Sequence, residues 1–448
     1  MSGRRTATAL AGLLAVGSLA TGVAANARSR PAPASLDGSF GSHGVASLGS
    51  GYQLFGAAAQ RDGKIVVVGE QISHGAVRLA LARLDTHGRL DHGFNHGHVV
   101  LGPGVSTGGS IGRGVAIQKD GKIVVVGILS DRSGTGQDGM LVERFSSGGG
   151  LDHGFASHGI ASLLTSGAGV AAGSAVAIQS DGKIVVAGGG AGADGLQHVA
   201  VVRLDSHGRL DHHFGSGGVR IADGAQDLGR NGIAYGVGVQ SGGRVVVAGS
   251  VTPNFQTPNA FVARFSSGGN LDRGFGSGGS YQVFANVKGG AAAVFQALAV
   301  APDGSLAVGG YAASGGANSA YALVARLTGS GHPIGSFGGG LVSIVSHPGP
   351  GLPSPIPGVG GIAFGRGGVV ATGGSSAGNG FAYPALWSLD SHGHLIGSGT
   401  TVTKLSSKLG GGQANAVTID PSGRIVIAGA ANNFFSYNAF VIRYHGFG

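Results

Sequence analysis

QRDGKIVVVGE, residues 60 to 70, is written again as QKDGKIVVVGI at 118, QSDGKIVVAGG at 179 and QSGGRVVVAGS at 240. Each copy has a polar turn followed by an apolar run that is short and rich in β-branched residues. This is the pattern of a β-hairpin, in which Asp satisfies the turn and the Gly after it takes the left-handed conformation. Following the pattern along the chain gives APDGSLAVGGY at 301, GRGGVVATGGS at 365 and DPSGRIVIAGA at 420. Seven copies spaced by about sixty residues mark an array of equivalent units.

The third unit serves as a template. Strand A is AVAIQ (175–179), the S-D-G turn places Gly182 in the left-handed region, and strand B is KIVVAG (183–188). A variable segment leads to strand C, VAVVRL (199–204), and the turn DSHGRLDHHFGSGG leads to strand D, GVRIA (218–222). Strand B is apolar without alternation, so both of its faces must be covered, whereas strand D varies as in YQVFA or TTVTKL and is wetter. Covered inner strands and wetter outer strands describe the blades of a β-propeller, where each sheet packs on two neighbours.

The seventh unit offers strands A, B and C (NAVTID, RIVIAG, AFVIRY) and no fourth. The missing turn and strand occur at the other end, as LDGSFGSHG and VASL within residues 36–48. An open stack would need polar capping repeats. The expected fold is therefore an all-β, seven-bladed β-propeller of four-stranded antiparallel blades, closed by the N-terminal strand completing the C-terminal blade.

With 94 Gly among 448 residues and only 11% charged residues the chain borders on low complexity, yet its 42% hydrophobic content lies in short strand-like runs. Arg4 and Arg5 precede an apolar, small-residue stretch that ends in Ala25-Asn26-Ala27, an A-x-A cleavage pattern. Residues 1–27 read as a secretory signal peptide, with an uncleaved anchor as the rival reading, 28–34 as a short linker and 35–448 as the propeller. The paired arginines hint at twin-arginine export. The chain has no Cys, so export would give no disulfides and no acylated cysteine. A soluble, secreted or surface-associated monomer with no membrane span after cleavage is expected. The net charge of +9 is scattered one or two residues per repeat, which argues against nucleic acid as a partner and fits attraction to anionic cell-surface polymers.

The repeated Q-x-D-G-K-I-V-V-x-G, the A-L-x-R-L strand and the L-D-x-x-F-G turn, as in LDRGFGSGG at 271, resemble the delta-60 repeat family over roughly residues 35 to 445. The resemblance implies a β-propeller-type fold and a bacterial secreted or surface location, and it lends no reaction. The sixth unit departs most, with GRGGVV in place of the DGK hairpin and Ser388 at the usual Arg position.

Asp62, Asp120, Asp181 and Asp303 sit at the hairpin tips and read as turn residues, not as acids or metal ligands. Arg83, Arg144, Arg203, Arg264, Arg326 and Arg443 recur in strand C, too far out to ring the axis, with Asp91, Asp152, Asp211 and Asp272 as natural partners. Arg326 persists where Ile334 replaces the aspartate, so pairing is not its whole role. The His-rich turns 85–98 and 205–214 tempt a metal assignment, but repeats place equivalent histidines in different blades; no metal ligand and no cofactor is assigned. Glu occurs only at positions 70 and 143, and no nucleophilic triad or phosphate loop is present, so no catalytic residue is assigned.

One face of a propeller carries the A–B and C–D turns, which here repeat nearly verbatim. The other carries the B–C and D–A connections, which differ in every unit, as in 128–139, 250–259, 375–384 and 430–438. Recognition is expected on the individual face. Strand A supplies the entry to the central channel, and the position two residues before its valine, expected at the mouth of this funnel, reads Phe55, Arg113, Ser174, Tyr235, Gln296, Gly360 and Asn415. These groups suit a polar ligand such as a glycan, a cell-wall polymer or a peptide segment of a protein. The leading expectation is a binding module; the rivals are a hydrolase or lyase in the same funnel, with Asp194, Asp223 and Asp227 as its first loop aspartates, and a structural cell-surface component.

Overall fold

The computed structural model describes residues 34–446 apart from the segments 103–107, 132–138, 164–169, 223–227, 229–230, 253–256, 284–289, 315–319, 346–357, 377–381, 406–410 and 433–435. The expected signal peptide and most of the expected linker lie outside the described residues. Ala34, expected at the end of that linker, is already buried between two blades.

Among the described residues twenty-eight strands form seven four-stranded antiparallel sheets. In blade one, strands A to D are Tyr52–Ala59, Ile65–Ser73, Ala76–Leu84 and Val100–Leu101. Blade seven takes A to C from Gly411–Ile419, Ile425–Asn432 and Tyr437–Tyr444, and D from Val45–Ser50 at the other end of the chain. Val45 pairs with Ile442 and Ser47 with Phe440, so the ring closes as the sequence indicates. No helix among the described residues is long and apolar enough to cross a membrane.

Parity along strand B explains its unbroken apolar run. Ile65 and Val67 pack toward blade seven, while Val66 and Val68 pack toward blade two, and all four are fully buried. The same division recurs round the ring, giving seven separate cores, each between two adjacent blades. Full burial of a Val or Ile side chain contributes roughly 1.5–3 kcal/mol, so the repeated run is the main source of blade adhesion.

The uniform face is a belt of clamps. Arg83, Arg144, Arg203, Arg264 and Arg443 each donate Nε to Asp91, Asp152, Asp211, Asp272 and Asp37, at 2.7 to 2.8 Å. Each guanidinium also lies over the Phe of the same turn, from Arg443 on Phe40 at 4.4 Å to Arg264 on Phe275 at 4.9 Å. Its Nη1 reaches a backbone carbonyl in the next blade: Ser147, Ser206, Ser267, Gly329 and Thr86 respectively. The strand C arginine therefore ties its own turn together and staples one blade to the next, which is why it never faces the axis. Arg326 lacks the aspartate and bonds Ser305 instead, with its guanidinium over Phe364 of blade six at 5.2 Å. Its Nε is buried with no hydrogen-bond partner.

The hairpin aspartates behave as turn residues. Asp62, Asp120, Asp181 and Asp303 each accept the backbone N–H two residues on. Gly182 has φ 86°, as its turn requires. Blade six uses a tighter hairpin, with Gly365 paired directly to Gly368, and fills its core with Trp387.

Candidate ligand-binding channel

Strand A of every blade contains a register shift at the same place. In blade one Leu54 pairs with Gly69 and Gly56 with Val68, leaving Phe55 as an extra, unpaired residue. The equivalent extra residues are Arg113, Ser174, Tyr235, Gln296, Gly360 and Asn415. The seven channel positions expected from the repeat are thus seven β-bulges. A bulge bends its strand and re-aims one side chain, and here all seven residues line one central channel of about 530 Å³.

The bulge explains the glycine that closes every Q-x-D-G-K-I-V-V-x-G motif. A Cβ on Gly69 would lie 1.8 Å from the Gln53 carbonyl oxygen, closer than any real Cβ contact. Gly127, Gly188, Gly249, Gly310, Gly373 and Gly429 face the equivalent strand A carbonyl at 1.8 to 2.0 Å. The sequence repeat marks the glycine because the distorted strand beside it leaves room for nothing larger. In six blades the bulge lies at least two residues from either end of strand A, and in blade six Gly360 is the second residue, so most of the ring sits inside the channel and not at its rim.

The ring is chemically mixed. Arg113 is the one charged residue among the described channel-lining residues. Its guanidinium lies 4.4 Å from the centroid of the Phe55 ring of the preceding blade, and it makes no hydrogen bond to a described residue. Burial lowers the Arg113 pKa, and the charge of Glu70 offsets part of that effect. Glu70, just past the motif glycine in blade one, is buried and its carboxyl is pushed up by desolvation against the opposing pull of Arg113. The sequence named Glu70 only as a scarce acid; its position behind Arg113 follows from the packing of two blades. Burial also raises the Tyr235 hydroxyl pKa, with Ser250 partly offsetting it. The Ser174 hydroxyl and the Gln296 amide are not bonded to described side chains. Asn415 is different: its Nδ2 donates to the Leu54 carbonyl at 2.8 Å, across the seam where the ring closes. Gly360 contributes backbone only, and a Cβ there would meet the Ala414 oxygen and Asn415 Cα at 3.0 Å.

A second cavity, about 840 Å³, lies on the uniform face between blades three and four and is lined by Gln179, Lys183, Arg203 and His213. Its charged groups are already committed, Lys183 and Arg203 both to Asp211. Among the described residues no three His, Asp or Glu side chains gather into a metal site. Asp194, one of the three loop aspartates, hydrogen-bonds His198 Nε2 at 2.9 Å. Asp223 and Asp227 lie outside the described residues, as do the central parts of the variable connections 128–139, 250–259, 375–384 and 430–438.

Comparison with known proteins follows this geometry. A family model described as "Domain of unknown function (DUF5122) beta-propeller" matches residues 60–94, 179–214 and 240–275. Each match runs from the A–B hairpin to the Phe of the C–D turn, in blades one, three and four. The repeats are β-propeller repeats. No curated protein matches the chain. Among solved structures, polysaccharide lyase Uly1 aligns at 10% identity and a TM-score of 0.49, over 87% of this chain and 89% of its own. Sqt1 from Chaetomium thermophilum aligns at 12% identity and 0.44, over 89% and 99%. The PQQ-bound aldose sugar dehydrogenase from Streptomyces coelicolor aligns at 12% identity and 0.37, over 92% and 99%. Neighbours this distant transfer no activity.

Proposed function

We propose that this chain is an exported β-propeller of the delta-60 repeat type that acts as a binding module. It takes an extracellular polar ligand, a glycan, cell-wall polymer or protein segment, through the face that carries the variable B–C and D–A connections. One observation carries the reading: seven blades that repeat their hairpins and strand B cores present seven different residues, Phe55, Arg113, Ser174, Tyr235, Gln296, Gly360 and Asn415, at one equivalent bulge to a single channel. A scaffold that repeats its clamps and its hairpin turns but individualises the residues re-aimed at the axis, along with the connections of one face, is suited to recognition there. The channel volume also falls in the range of small-molecule sites, roughly 300–1,000 Å³.

The rival enzyme reading requires a carboxylate in the channel with a raised pKa. Glu143 has a pKa raised to about 7, but it lies in the core between blades one and two, away from the axis. Glu70 stands behind Arg113 without an acidic partner among the described lining residues.

The test is retention of the mature protein on cell-wall glycans at low and high salt. A shaped site survives salt, whereas attraction through net charge does not. Replacing both Arg113 and Tyr235 by Ala is expected to abolish salt-resistant retention and to leave thermal unfolding nearly unchanged. Salt-sensitive binding that both proteins share would refute the channel reading.

A further inference from the structure

Resting on the binding-module reading, we infer that the channel selects an acidic saccharide, one sugar carboxylate pairing with the Arg113 guanidinium inside the channel. The argument begins with unspent donors. Arg113 carries five N–H groups and bonds no described residue, although it is half-buried. The strand C arginines described above, from Arg83 to Arg443, are by contrast each committed to a carboxylate, a hydroxyl or a carbonyl. A guanidinium in a partly desolvated channel with open donors is complementary to a planar oxyanion, which it can hold by two parallel hydrogen bonds.

Phe55 fixes the geometry. Its ring lies 4.4 Å from the guanidinium carbon, so the side chain is partly held before any ligand arrives and less rotamer freedom is lost on binding. Arg113 is the one cation among the described lining residues, so a ligand carboxylate is drawn to that point of the ring. The rest of the ring favours a saccharide over a peptide terminus. Ser174, Tyr235 and Gln296 each offer a hydroxyl or amide that can donate and accept, which matches sugar hydroxyls that do both. Glu70 follows Gly69, whose carbonyl oxygen would lie 3.2 Å from a Cβ on Gly112, the residue before Arg113, so its carboxyl lies near the guanidinium and opposes an anion that does not pair directly with the fork.

Isothermal titration of the mature chain, at high salt to screen its net charge of +9, with a disaccharide carrying a single galacturonate, its methyl ester and a peptide ending in a free carboxylate tests the assignment. The acid is expected to bind at least 10-fold more tightly than the ester, from the roughly 1.5–3 kcal/mol of a charge-assisted hydrogen bond. Arg113→Ala should remove that preference, and Arg113→Lys, which keeps the charge without the fork, should restore only part of it. Glu70→Gln should tighten binding of the acid and leave the ester unchanged. Equal binding of acid and ester overturns the charge assignment while leaving a binding channel in place. Binding of the peptide alone overturns it in favour of a protein ligand. Binding of none of the three overturns it outright, and glycan retention then decides the binding-module reading separately.

Discussion

Arg443 on the last strand donates its Nε to Asp37 Oδ2 at 2.8 Å, joining residues 406 positions apart. The pair reproduces the clamp of the other blades with one half borrowed from the opposite end of the chain. Arg443 is 1% and Asp37 3% exposed, so removing Arg443 leaves the buried carboxylate with only the longer contact to Arg424 at 3.6 Å as its compensating cation besides the exposed His445, and removing Asp37 leaves the guanidinium without its carboxylate. Arg443→Ala is expected to cost about 3–5 kcal/mol, more than any surface substitution. A urea midpoint within error of wild type would show that the ring is not held there.

The same pair gives an acid dependence. Burial opposes ionisation of Asp37, but hydrogen bonds from Ser39 and the charge of Arg443 outweigh it and bring the carboxyl from 3.8 to about 2. A depressed folded pKa means that the stabilisation is complete above the unfolded value and is lost as pH falls from about 4 toward 2. Asp37→Asn should therefore flatten part of the acid limb of the stability curve, measured as urea midpoint against pH. An acid limb as steep as that of wild type would contradict this.

Gly69→Ala tests the bulge. The new Cβ would meet the Gln53 carbonyl at 1.8 Å, so strand A must give up its distortion or move away. Overpacking of a rigid core costs roughly 1–3 kcal/mol, and contact with backbone puts this site at the upper end. Gly38→Ala, where nothing lies within 4 Å, is the control and should be nearly neutral. Equal melting temperatures for the two variants would remove the steric account of the motif glycine.

These residues show how far the sequence could be read. The number of blades, the closure at residues 36–48 and the identity of the seven channel residues were legible because a repeat exposes register: what is true of Val176 in one unit places Ser174 and its six counterparts in all. The bulge was not legible, since its mark in the sequence is the glycine across the ladder and not the bulged residue. The stack of Arg113 on Phe55 and the approach of Glu70 were also hidden. Both join different blades, and the rotation between blades is set by packing that no single repeat encodes. For Arg326 the sequence showed the missing aspartate, while its shift onto Phe364 depends on the altered hairpin of blade six.

Blade six should loosen first. The staple from blade five is incomplete at Arg326, and Ser388 replaces the arginine that would tie blade six to blade seven. Trp387, the single tryptophan, is buried in the core between blades five and six and reports on that seam. Its fluorescence is expected to shift to the red at a lower denaturant concentration than the loss of the far-ultraviolet circular dichroism of the whole ring. Coincident transitions would mean that the seam opens only with global unfolding.

Glu143 sets a second, opposite pH response. In the other blades its position is filled by Ala82, Val202, Ala263, Ala325, Trp387 and Ile442, all facing a neighbouring blade. Its ladder partners are Val125 and Ile160, and both carboxyl oxygens are buried without a hydrogen bond. Desolvation alone raises its pKa from 4.5 to about 7. Stability from a neutral Glu143 is therefore complete below pH 4.5 and is lost as pH rises through about 7, to a total of about 3 kcal/mol. Glu143→Val supplies the residue that blade three uses and removes the titration. The variant should match wild type near pH 4.5, exceed it at pH 8, and show the difference growing between those limits in urea midpoints. A difference that does not change with pH would mean that the carboxyl stays protonated or is solvated in the folded state, and the buried, unpaired assignment would fail.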